Sequence, residues 1–263
     1  MLAVLLLALA VAPPQPDVQQ IIHKALALWE AEASRLAPYI YMERDETREL
    51  DDNNKVKSVT SKTHEIRMIE GSPYRRLVER DSKPVPQAEE ELQAAYLKDN
   101  IARRANETPG ERARRIADYE KRRDRYLATI REIPRAFDFT LVGEETIAGR
   151  RTWVVDATPR RGYEPKDRFS HMYPRLRSRL WFDTLEYQLV KLTAESTDTI
   201  SFGWILIRIA KGGRAEVERT RLADGTWAMT RLWYHVAARV GLFRLYHRED
   251  ETTHFGFRKL PQM

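Results

Sequence analysis

Between Phe137 and Glu195 apolar and polar residues alternate in the rhythm of β-strands, whose side chains point to opposite faces every second residue. Phe137, Phe139 and Leu141 alternate with Asp138 and Thr140 up to a turn at Gly143 or Gly149, and Trp153, Val155 and Ala157 resume the pattern. After a polar loop from Pro159 to Pro174, Leu176, Ser178, Leu180 and Phe182 alternate with Arg177, Arg179, Trp181 and Asp183. A turn over Asp183, Thr184, Leu185 and Glu186 leads to Val190, Leu192 and Ala194, opposed by Lys191, Thr193 and Glu195. The pattern predicts a four-stranded antiparallel meander with one apolar and one wet face.

The flanking sequence extends the sheet and supplies its cover. Val18, Ile21, Ile22, Ala25, Trp29, Ala33 and Leu36 recur at helical spacing behind the capping residue Asp17, and Pro38 ends the helix. Strands are predicted from Tyr39, over Val56–Met68 and over Arg75–Arg80, separated by Asp51-Asp52-Asn53-Asn54 and Glu70-Gly71-Ser72-Pro73. From Gln87 to about Ile133 the period becomes helical: one helix near Glu89–Arg104, and a second capped by Thr108 with Pro109 and Glu111 in its first turn. Beyond the meander, strands are expected over Thr199–Ile209, Ala215–Leu222, Trp227–Val236, Val240–Arg248 and Phe255–Leu260, with turns at Gly212-Gly213 and Asp224-Gly225. The fold class is α+β, with about ten or eleven strands joined by short, antiparallel connections.

The run Met1–Ala12 is apolar throughout, too short for a bilayer-spanning helix and of signal-peptide length, with Ala8-Leu9-Ala10 as a small-residue cleavage pattern. The expected organisation is therefore a signal peptide over residues 1–10 and a single exported domain over 11–263, with the helical insertion near 87–133. A buried N-terminal strand or helix is the alternative. With no cysteine, the chain has no disulfide, thiol nucleophile, Cys-ligated metal or lipid-acceptor thiol, so an exported form is soluble and not itself a lipoprotein. The net charge of +6 arises from 45 basic and 39 acidic residues and describes a densely mixed surface. Between Ile101 and Ile133 ten Lys or Arg face six Asp or Glu. This is either a solvated helix face laced by pairs such as Glu111 with Arg115, or a surface for peripheral contact with anionic membrane. Nucleic acid is not expected as a partner.

Catalytic patterns are missing. The six histidines include no His-Glu-x-x-His pair, no Ser occupies a Gly-x-Ser-x-Gly elbow, and no phosphate-cradling glycine loop or dinucleotide fingerprint occurs. His247 and His254 flank Glu249-Asp250-Glu251, a grouping that reads as a solvated strand end rather than a metal site. The expectation is a non-enzymatic protein with no cofactor and no metal.

The pair Phe137–Leu141 and Trp153–Pro159, followed by Leu180-Trp181-Phe182-Asp183 and Leu189–Leu192, with an apolar leader, an N-terminal helix and inserted helices, resembles the LolA/LolB/RseB-like lipoprotein-carrier superfamily. The resemblance covers most of residues 17–260, with a larger helical insertion than the bare carrier. It implies a long curved antiparallel sheet, an unclosed half-barrel, whose concave apolar face holds acyl chains beneath helices acting as a lid. It further implies a periplasmic protein that binds lipid or lipoprotein acyl chains, as in outer-membrane lipoprotein sorting. The alternative is an envelope structural or sensor module that binds a protein partner, its cavity packed by its own side chains. By alternation the lining candidates are Phe139, Leu141, Trp153, Val155, Leu180, Phe182, Val190 and Leu192, each of which would otherwise be a packed core residue.

Overall fold

A computed structural model describes residues 16–167, 169–202, 207–240 and 244–260. The apolar run Met1–Ala12 and the cleavage expected after Ala10 lie outside the described residues. The chain opens with helices α1 (Val18–Glu30) and α2 (Glu32–Leu36), where a single expected helix breaks at Ala31. The Asp17 side chain accepts from the Gln19 N–H at 2.9 Å, as the sequence predicts for a cap. Strands β1 (Tyr39–Leu50), β2 (Val56–Ile69), β3 (Ser72–Arg80) and the two-residue β4 (Lys83–Pro84) form a first meander. Helices α3 (Gln87–Ala105), α4 (Pro109–Arg131) and the single turn α5 (Ile133–Ala136) follow, and the Thr108–Glu111 capping box is complete.

The second meander comprises β5 (Phe137–Ile147), β6 (Arg150–Pro159), β7 (Leu176–Asp183), β8 (Leu189–Ser196), the short β9 (Ile200–Phe202) and β10 (Ile207–Ile209), β11 (Arg214–Arg221), β12 (Trp227–Val240) and β13 (Arg244–Lys259). The sheet is antiparallel and open, in the order β4-β3-β2-β1-β13-β12-β11-β8-β7-β6-β5, with β10 and β9 beside β12. Two expectations need correction. Thr199–Ile209 forms two short antiparallel strands rather than one. Val240 ends β12, and the strands expected at Val240–Arg248 and Phe255–Leu260 merge in one continuous strand, Arg244–Lys259, so Glu249, Asp250 and Glu251 sit mid-strand. They are tolerated there because Arg48, Thr47 and Arg231 on the neighbouring strands meet them.

The first and last strands, β1 and β13, pair in the middle of the sheet over a register from Tyr39↔Lys259 to Glu49↔Arg248. The two edges, β4 and β5, flank the helical segment in sequence, so α3–α5 carry the chain from one edge to the other. At one end, the Arg104 guanidinium donates to the carbonyls of Ile69 and Ser72, each at 2.9 Å, and Arg115 donates to Ser72 Oγ at 2.7 Å. Gly71, at φ +85°, lies where a Cβ would come within 3.1 Å of Ile116, so the turn suits a residue without a side chain. At the other end, Arg131 on α4 makes a forked pair with Glu30 on α1 at 2.8 and 2.9 Å.

The main core lies under α1, where Ile21, Ile22 and Ala25 pack with Phe137, Phe139, Trp153, Val155, Leu180, Phe182 and Leu189. At its border the β7–β8 turn is fixed by Asp183, whose carboxylate accepts from Arg150 Nε at 2.6 Å and from the Leu185 and Glu186 N–H groups at 3.0 and 2.8 Å. Burial pushes the Asp183 pKa up, but the bonds from Arg150 and the two amides outweigh it and hold the carboxyl below its ordinary value. Its contribution to stability is therefore present above the ordinary Asp pKa and lost as pH falls through the lower, folded-state value. Asp183→Asn is expected to lose about 1–3 kcal/mol at neutral pH. In urea titrations the difference from the native protein should shrink as the medium is acidified below about pH 4.

Candidate ligand cavity

Three helices and three strands build an apolar cavity at the edge of the core. Ile22, Ala25, Leu26 and Trp29 of α1, Tyr126 and Ile130 of α4, and Ile133 and Pro134 of α5 form its roof. Its floor is Leu180 and Phe182 of β7, Leu189 and Leu192 of β8 and Val217 of β11, around a volume of about 220 Å³. On the same face a groove of about 540 Å³ lies against Leu176, Ala194, Ala215, Tyr234 and Val236, with Met172, Ile200, Ile209 and Arg248 on its walls. Leu192 and Ala194 are successive positions on this face of β8, as are Val217 and Ala215 on β11, so one apolar floor runs from cavity to groove.

Of the eight lining candidates, Leu180, Phe182 and Leu192 border the cavity. Phe139, Trp153 and Val155 belong to the buried core beside it, and Leu141 packs against that core. Val190 is buried but belongs to neither the core cluster nor the cavity wall. The register shifts between Trp181↔Lys191 and Phe182↔Leu189, so Val190 is the extra residue of a β-bulge and Leu189 takes the place that strict alternation assigns to it. Val217 lies in the strand expected over Ala215–Leu222, but Tyr126 and Ile130, on a helix, were not visible in strand alternation. Tyr126 and Ile130 lie one helical turn apart on α4, the spacing that marks a shared helix face.

One buried ion pair fastens the roof to the floor. Arg219 of β11 pairs with Glu32 of α2, donates to Gln188 Oε1 at 3.1 Å and to the Leu189 carbonyl at 3.3 Å, and stacks under Trp29 with 4.9 Å to the ring centroid. Burial pushes the Glu32 carboxyl above its ordinary value, and Arg219 pulls it part of the way back.

His247 and His254 cannot share a metal ion. They lie an odd number of positions apart on an unbroken stretch of β13 and so face opposite sides of the sheet. His247 meets His235, with 3.1 Å between Nε2 atoms, whereas His254 Nε2 meets Glu43 at 3.1 Å. Among the described residues, no helix is long and apolar enough to cross a membrane.

No protein-family model matches the chain, and no curated protein does. Several solved structures are similar over almost the whole length. An outer membrane lipoprotein-sorting protein domain from Vibrio parahaemolyticus aligns at 10% identity and a TM-score of 0.36, covering 90% of this chain and 93% of that one. A LolA superfamily protein from Nitrosomonas europaea aligns at 12% identity and 0.33, covering 95% and 96%. Lipoprotein LppX from Mycobacterium tuberculosis aligns at 9% and 0.28, covering 91% and 93%. The open antiparallel sheet with helices across one face is the arrangement implied by the resemblance to the lipoprotein-carrier superfamily.

Glu32→Leu should strand the buried Arg219 charge and cost about 3–5 kcal/mol, read by thermal or urea unfolding. Adding Arg219→Met to it should recover most of that loss, because an apolar pair of similar volume removes the uncompensated charge.

Proposed function

We propose that this protein is a non-enzymatic binder of a long acyl chain, held between the sheet and helices α1 and α4. The observation that carries the reading is the apolar floor that runs from the roofed cavity to the open groove. The cavity alone, at about 220 Å³, is small beside the roughly 300–1,000 Å³ of ordinary ligand pockets, whereas the groove at about 540 Å³ falls within that range. A ligand would therefore extend through both. Burial contributes about 0.8 kcal/mol per methylene, and immobilising a ligand costs about 4 kcal/mol or more. A chain of about sixteen carbons clears that threshold readily, and one of about four does not. Tyr234 and Arg248, which line the groove and of which Arg248 pairs with Asp250 at 2.7 Å, present a hydroxyl and a guanidinium to a carboxylate or phosphate head.

Such a ligand belongs to a cell envelope, which agrees with the export expected from the apolar leader. Amino-terminal sequencing of the protein from its native host should begin near Val11, and Met1 retained on cytosolic protein would overturn export.

Binding is tested by titrating a fluorescent long-chain fatty acid, beside mass spectrometry of lipids that copurify with the native protein. Leu192→Trp, which fills the cavity from its floor, should weaken the probe at least about tenfold with the circular dichroism spectrum unchanged. A native protein that binds no probe, or a variant that binds it equally well, would overturn the acyl-chain reading in favour of a packed module for a protein partner.

A further inference from the structure

Away from the acyl cavity, the helix-covered side of β1 and β2 carries a grouping of a different chemistry. Glu43 and Asp45 are alternate residues of β1, and His64 lies directly across from Glu43 on β2. One carboxylate oxygen from each acid and one ring nitrogen of His64 lie within 4.8 Å of one another. They converge on a single atom, Nη2 of Arg75 on β3, at 2.6 Å from Glu43, 3.0 Å from Asp45 and 3.3 Å from His64 Nδ1. Arginine only donates, so Nδ1 of His64 presents its lone pair to that point. His254 of β13 brings a second imidazole, its Nε2 at 3.1 Å from the other Glu43 oxygen and its side chain only 9% exposed. The His254 Nδ1 is buried without a hydrogen-bond partner.

We propose that Glu43, Asp45 and His64 form a binding site for a divalent transition-metal ion such as Zn²⁺, in which Arg75 is the displaceable competitor. Three features favour a metal over a permanent ion pair. First, the two carboxylates carry two negative charges, and among the described residues Arg75 is the one Lys or Arg paired with either. A divalent ion would neutralise both. Second, the donor set of two carboxylate oxygens and an imidazole nitrogen suits a borderline ion, with His254 placed to hold the Glu43 carboxylate from behind or to enter as a fourth ligand. Third, Arg75 has somewhere to go: its side chain is 51% exposed, and a cavity of about 400 Å³ under Leu36 and Tyr119 opens onto Glu43 and Arg75. Metal bonds of about 2.0–2.2 Å require each donor to move inward from its present distance to Nη2 by about 0.4–1.3 Å, within reach of side-chain rotation.

The test is equilibrium dialysis of the chelator-stripped full chain against Zn²⁺, with bound metal counted by mass spectrometry and a parallel visible spectrum of the Co²⁺ form. The native protein is expected to hold one equivalent. His64→Ala, and His64→Asn as a variant of closer shape, should each lose at least about tenfold in affinity and change the Co²⁺ spectrum while circular dichroism stays native. Arg75→Met should gain about tenfold or more, because it removes the competing charge. His235→Ala, which breaks the histidine pair on the opposite face, should change nothing. If the native chain holds no stoichiometric zinc, the cluster is an ion-pair network closed by Arg75 and the proposal fails, whatever Arg75→Met does. It fails equally if the bound zinc is lost with His235 rather than with His64, or if Arg75→Met weakens binding.

Discussion

The pairing of β1 with β13 is the contact on which the rest of the sheet depends. Each meander is assembled from strands close in sequence, with β9 and β10 set aside between β8 and β11, and among the described residues only this seam, at the greatest separation the sheet offers, joins the two into one sheet. Its chemistry differs from that of the core. Thr47 donates to Asp250 at 2.6 Å, Thr252 to Asp45 at 2.8 Å, and Arg48 reaches Glu249 across the strand boundary at 3.6 Å. Polar cross-strand pairs of this kind are individually modest, so the seam's strength comes from the long backbone ladder beneath them.

With the seam in place, the two halves of the helix-covered face diverge. Around β5–β8 and β11 it is apolar and roofed by α1, α4 and α5, whereas around β1, β2 and β13 it carries acids, histidines and an arginine. Helix α4 passes over both, with Tyr126 above the apolar cavity and Tyr119 above the polar one. A single element thus couples a site suited to hydrocarbon with a site suited to a cation. The Arg219–Glu32 pair and the Arg131–Glu30 fork hold the helical cover over the first.

Legibility in the sequence follows the same divide. Where one face is buried, the alternation of Phe137–Leu141, Trp153–Ala157 and Leu176–Phe182 located the strands and most of the core, and Asp17 and Thr108 marked the helix starts. Where both faces are polar, as from Glu249 to His254, no hydrophobic period exists to join the two expected strands; only the backbone ladder to β1 and β12 makes them one. The bulge at Val190 was equally hidden, because an inserted residue shifts the period without altering composition. The helical half of the cavity could be read as an amphipathic stripe, but which strands it would cover depends on the crossing from edge to edge.

That crossing and the seam together set how the molecule responds to a mechanical load. Tyr39 and Lys259 face each other at the end of the seam, so tension applied between these two positions pulls directly on one rung. Antiparallel strands loaded at the same end separate one rung at a time, as a zipper opens, rather than shearing all rungs together. The sheet would therefore part along its midline while α3–α5, anchored at both margins, still tethered the outer strands. A pull between these two positions becomes a hinge-like opening about the helical crossover.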